Sequence, residues 1–97
     1  MLTKDEIREA VRPVASKYNI ENVYLFGSYA RGDATEDSDC DLRVVGGDIR
    51  GLFQLSGLYI DFEEALGKPV DVVMTDSMTN SFYDLIKEEE ILVYAKV

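Results

Sequence analysis

The stretch from Val23 to Val45 constrains the fold more than any other part of this chain. Val23-Tyr24-Leu25-Phe26 is a short, nearly continuous apolar run, the pattern of a strand covered on both faces. Gly27-Ser28 ends it. Tyr29 to Arg31 suits a brief helical turn, and Gly32 to Asp37 reads as loop. Cys40, Leu42 and Val44 then alternate with Asp39, Asp41 and Arg43, giving a strand with one apolar and one charged face, closed by Gly46-Gly47. Side chains two positions apart on a strand share a face, roughly 7 Å from one another. Asp39 and Asp41 therefore project together, with Arg43 next on the same side and Cys40 turned toward the core. Like charges placed so repel, and a hard divalent cation between them relieves the repulsion.

The flanking segments supply what such strands need to pack against. Thr3 and Glu6 have capping-box spacing and start a helix near Lys4, with Ile7, Ala10, Val11, Val14, Ala15 and Tyr18 as its apolar stripe. Pro13 predicts a kink, and Asn19 a stop. Leu52, Leu55, Tyr59, Phe62 and Leu66, with Phe53, Leu58 and Ala65 alongside, form the clearest amphipathic helix, capped by Gly67 and stopped by Pro69. Val70 to Met74 is a third strand carrying one acid, Asp71. Asn80 or Ser81 caps a last helix whose apolar face is Phe82, Leu85 and Ile86, and Ile91 to Tyr94 closes the chain as a strand. The predicted class is α/β (α+β): a small mixed sheet of about four strands with helices packed on it, in one domain spanning 1–97.

Charge narrows the functions available. Nineteen acidic and ten basic side chains leave a formal net charge of -9, and the bases are scattered, which is unfavourable for gripping nucleic acid. Solubility alone accounts for the overall balance; a basic partner or bound cations would also suit it. The lone Cys40 excludes an internal disulfide, and the amino terminus has no apolar h-region of a signal peptide. No apolar run is long enough for a membrane span, so the cytoplasm is the expected location.

If the third strand lies beside the second, Asp71 joins Asp39 and Asp41 in a three-carboxylate cluster, the kind that holds a pair of metal ions for phosphoryl chemistry. Gly27 allows close approach of backbone to a phosphate, Ser28 offers a hydroxyl and an amide, and Arg31 a planar fork of donors. These residues suggest metal-assisted nucleotidyl transfer. Each has a plainer reading: a strand-ending turn for Gly27-Ser28, a solvated strand face for the two aspartates, a surface helix position for Arg31. Asp71 could pair with Arg43. Arg43 could contact a triphosphate or bridge to Asp71 or Glu63. Asp33, Glu36 and Asp37 read as solvated loop.

Gly27-Ser28-Tyr29-Ala30-Arg31-Gly32 followed by Ser38-Asp39-Cys40-Asp41-Leu42 resembles the GSxARG…SDxDL signature of the minimal nucleotidyltransferases, of the DNA polymerase β-like superfamily. The resemblance extends to the KPVDVV and ILVYA strands and covers almost the whole chain. It implies the polymerase β-like palm fold, two Mg²⁺ ions on Asp39 and Asp41 with help from Asp71, and ATP held through Gly27 and Ser28. The compact size resembles MntA-type antitoxins of HEPN/MNT pairs. That implies transfer of AMP to a tyrosine of a HEPN ribonuclease toxin, with much of the second-substrate site coming from the partner. Two other functions compete: an antitoxin that blocks a basic partner by binding alone, and nucleotidylation of a small molecule such as an aminoglycoside. A homo- or hetero-oligomer is compatible with each of these functions.

Overall fold

A computed structural model describes all 97 residues. The elements are α1 (Lys4–Lys17), β1 (Ile20–Phe26), α2 (Gly27–Arg31), β2 (Cys40–Gly46), α3 (Gly51–Leu66), β3 (Val70–Met74), a 3-10 turn over Thr75–Ser77, α4 (Asn80–Ile86) and β4 (Ile91–Ala95). One sheet runs in the order β3-β2-β1-β4, with β2 and β3 parallel and the other pairs antiparallel. The expected mixed four-stranded sheet is therefore present.

α1 starts with the predicted capping box: Thr3 accepts from the Glu6 amide, and Glu6 accepts from the Thr3 amide. The helix runs unbroken past the exposed Pro13 to Lys17, and Asn19 leaves it at φ +56°, a left-handed turn that Asn tolerates better than most residues. Ile7, Val11, Val14 and Ala15 of α1, with Leu58, Phe62 and Leu66 of α3, pack against Val23, Leu25, Cys40, Leu42, Val44, Val72 and Val93 of the sheet. α4 covers part of the opposite face, where Phe82 meets Phe26 edge-to-face at 5.9 Å.

β1 is longer than its apolar core suggests, beginning at Ile20. Its outward Tyr24 is half-buried rather than fully covered. The α3 stripe is shorter than expected: Leu52 and Phe53 are exposed, because the start of α3 lies outside the core and its core residues begin at Leu58. Leu85 of α4 is exposed too, leaving Phe82, Tyr83 and Ile86 as that helix's inner contacts. The cap of α4 is Thr79, whose hydroxyl accepts from the Phe82 amide, not Asn80 or Ser81. β3 would present a bare sheet edge, but Tyr59 of α3 bonds both Val72 backbone groups through its hydroxyl.

Candidate active site

The parallel pairing of β2 with β3 sets the acids. Asp41 lies directly opposite Asp71 in register, so the two carboxylates rise from neighbouring strands about 4.8 Å apart. Asp39 precedes β2 and is exposed. Partial burial, followed by the negative charges of Asp71 and Asp39, pushes the Asp41 pKa up to about 6. Asp71 and Asp39 thus both act on Asp41 in the free protein. The three carboxylates do not close into a three-ligand metal cage. Asp41 and Asp71, in register on neighbouring strands, are a pair of hard oxygen donors of the kind a Mg²⁺ ion takes, with water and substrate phosphate completing its shell. Cys40, between the two aspartates, faces the core with no exposed surface, and burial raises its thiol pKa to about 12.

Gly27 closes the other side. It has φ +73°, and a Cβ on it would lie 2.1 Å from Asp41 Oδ2. A side chain there would be strained in the left-handed turn and would push the Asp41 carboxylate aside, so glycine suits the position. Ser28 follows as the second residue of α2, and its carbonyl accepts from the Gly32 and Asp33 amides, which ends the helix. Tyr29 and Ala30 are buried in the core, so the turn is fixed from beneath. Arg31 is half-exposed and pairs with Asp33 at 3.3 Å and Glu89 at 3.2 Å.

The backbone around Asp39 is held from both sides by one loop. Lys68 Nζ donates to the Ser38 carbonyl and, at 2.6 Å, to the Tyr29 hydroxyl; the Cys40 amide donates to the Pro69 carbonyl at 3.1 Å. Residues 68–69 lead directly into β3 and Asp71, so one connection positions two of the three acids.

Arg43 shares the acid face but binds neither Asp71 nor Glu63. Its guanidinium donates to both oxygens of Glu90, at 2.5 Å and 2.9 Å, and to Thr75 Oγ1 at 3.0 Å. It lies over the Tyr24 ring at 4.3 Å and the Tyr83 ring at 5.2 Å, and is 6% exposed. With these donors engaged and both faces covered, Arg43 ties the segment after α4 to the sheet. Glu63 instead accepts from the Val70 amide at 3.3 Å. Asp33, Glu36 and Asp37 are exposed loop residues, as expected.

Sequence reasoning passed over Glu89, Glu90, Lys68 and Thr75. Glu88, Glu89 and Glu90 form an acid run between α4 and β4. Its position just before a strand that adjoins β1 was the available signal. Glu89 Oε2 in fact accepts from the Gly27 amide at 2.5 Å.

The polymerase beta nucleotidyltransferase family model matches residues 9–97. Protein adenylyltransferase MntA of Thermococcus cleftensis is 32% identical over 97 residues, covering 96% of this chain and 98% of its own length. Among solved structures, a toxin–antitoxin complex with AMP-PNP superposes at TM-score 0.79, with 21% identity over 92% of this chain and 73% of that one. A complex of a tri-AMPylated Shewanella oneidensis HEPN toxin with its MNT antitoxin superposes at 0.73, with 18% identity over 97% of this chain and 74% of that one. Together with the DxD strand, the Gly-Ser turn and a third acid in register, the family match has one meaning: this chain belongs to the polymerase beta nucleotidyltransferase family and is a nucleotidyltransferase.

Proposed function

We propose that the chain, acting as one domain in the cytoplasm, transfers AMP from ATP to a tyrosine hydroxyl of a HEPN-type toxin and thereby acts as its antitoxin. The observation that carries the chemistry is the in-register pair Asp41 and Asp71 beside the left-handed turn at Gly27. The relative named a protein adenylyltransferase supports a protein acceptor, and the toxin–antitoxin complexes that share the fold support the class of partner.

Asp39 and Asp41, with Asp71, would hold Mg²⁺, which would neutralise phosphate charge and favour ionisation of the attacking phenol. Gly27, Ser28 and Arg31 bind and orient the triphosphate through an amide, a hydroxyl and a guanidinium. Asp71, exposed at the edge strand, accepts the proton of the acceptor tyrosine. The tyrosine oxygen bonds to the α-phosphorus, the bond from that phosphorus to the bridging oxygen breaks, and pyrophosphate leaves. Arg43 supports the site through Glu90 and Thr75.

The test is incubation of the pure protein with α-labelled ATP, Mg²⁺ and the toxin. Label should appear on the toxin with wild type and not with Asp39→Ala/Asp41→Ala. Equal labelling by the double variant overturns the assignment of the acids. A double variant that still protects cells from the toxin replaces catalysis with occlusion as the neutralising mechanism.

A further inference from the structure

Glu89 reaches the acid face from the turn between α4 and β4 and contacts the groups assigned to the nucleotide. Its Oε2 accepts from the Gly27 amide at 2.5 Å and from Arg31 Nη1 at 3.2 Å, while Oε1 lies 3.4 Å from the same nitrogen. Two donors of different kinds, one main-chain and one guanidinium, thus converge on one carboxylate. The same donor set receives a phosphate oxygen with equal ease, since both acceptors are anionic oxygens matched to planar donors. The place is otherwise a poor one for an anion, because Asp41 lies against Gly27. The two donors account for Glu89 being there.

We infer that Glu89 occupies the phosphate-binding donors of the free protein as a built-in competitor, so that a nucleotide must displace it to bind. This rests on the assignment of Gly27 and Arg31 to the triphosphate made above. The surrounding structure allows the exchange. Glu90, the next residue, is clamped by Arg43 and 5% exposed at its side chain, so the backbone of the segment is anchored. Glu89 has 22% of its side chain exposed and a rotation toward solvent releases both donors without moving the strand. The arrangement keeps the Gly27 turn in its binding geometry while empty. It also sets a threshold: a ligand that offers fewer anionic oxygens than a polyphosphate gains too little to replace the carboxylate.

The test is titration of the full chain, in Mg²⁺, with ATP and separately with tripolyphosphate, for wild type, Glu89→Gln and Glu89→Ala, each checked by thermal melting. Glu89→Gln keeps an acceptor for the Gly27 amide and loses the charge, so it remains informative if Glu89→Ala does not fold. Both ligands should bind the variants roughly tenfold or more tightly than wild type, the larger gain falling to Glu89→Ala. Tighter tripolyphosphate binding without any ATP binding upholds the competitor and overturns the nucleotide assignment. ATP binding that is unchanged or weakened in the folded variants overturns the competitor and leaves the nucleotide assignment standing. Failure of every form to bind tripolyphosphate also overturns the competitor.

Discussion

Gly27 and Asp41 are the residues on which the site turns, because neither leaves room for change in the other. Gly27→Ala puts a methyl group where Asp41 Oδ2 sits and forces a β-carbon into left-handed backbone. The backbone strain alone costs on the order of 1–3 kcal/mol. The melting temperature should fall and label transfer should be lost, and an Ala variant that melts and labels like wild type would refute the close approach. Asp41 also makes the metal-free protein sensitive to pH. Folding raises its pKa to about 6, so between its ordinary value near 4 and about 6 the folded chain keeps a proton that the unfolded chain has released. Stability conferred by that proton is therefore complete below pH 4 and declines as pH rises to 6. Melting curves over this interval should show the decline in wild type, a smaller one in Asp41→Asn, and a recovery when Mg²⁺ is added above pH 6.

At the scale of elements, two ties hold the acid face in shape. The first is the Lys68–Pro69 connection, which grips the backbone on either side of Asp39. Lys68→Met should lower Mn²⁺ affinity by about 10- to 100-fold, the usual effect of losing a residue that orients a metal ligand. A partial return in Lys68→Arg, read by Mn²⁺ titration, separates positioning from general loss of fold. The second is the buried pair Arg43–Glu90. Removing either partner alone should destabilise the protein by about 3–5 kcal/mol, and removing both should cost less than the sum. Chemical denaturation of the two singles and the double gives the coupling directly. These ties explain what could be read in advance. The neighbouring placement of Asp41 and Asp71 was legible because one parallel pairing suffices to bring them into register, whereas Asp39 lies just before the strand and outside that pairing. Gly27 was legible as the end of a buried strand, while its approach to Asp41 follows from the pairing of Phe26 with Asp41 across β1 and β2. The partner of Arg43 was not legible, since nothing local in the sequence tells Glu90 from Asp71 or Glu63. That choice depends on where α4 lays residues 88–90 across the sheet. Leu52, Phe53 and Leu85 misled for a related reason: periodicity shows which face is apolar, not how far along the helix the core extends.

For the molecule as a whole, the net charge of -9 acts against compactness, and part of it is concentrated around the site. Raising NaCl from about 0.05 M to about 0.5 M should screen this repulsion and raise the melting temperature by a few degrees. Millimolar Mg²⁺ should do the same at far lower ionic strength, and Asp39→Asn/Asp41→Asn should abolish that excess effect of Mg²⁺. A melting temperature insensitive to both would show that surface ion pairs such as Lys17–Asp61 already compensate the charge.

The contact between Lys68 and the Ser38 carbonyl spans 30 positions of chain. The β1–β2 hairpin can form as soon as residues 20–46 have left the ribosome, since antiparallel neighbours need little loop closure. The loop before β2 is secured only after α3 has crossed over and Lys68 and Pro69 have emerged, and Asp71 arrives two residues later. A nascent chain halted before that point carries the whole GS…DxD signature and yet has no assembled acid face. Order of synthesis thus places assembly of the acid face well after the signature itself, because the strand that supplies Asp71 reaches β2 only once the whole of α3 has been made.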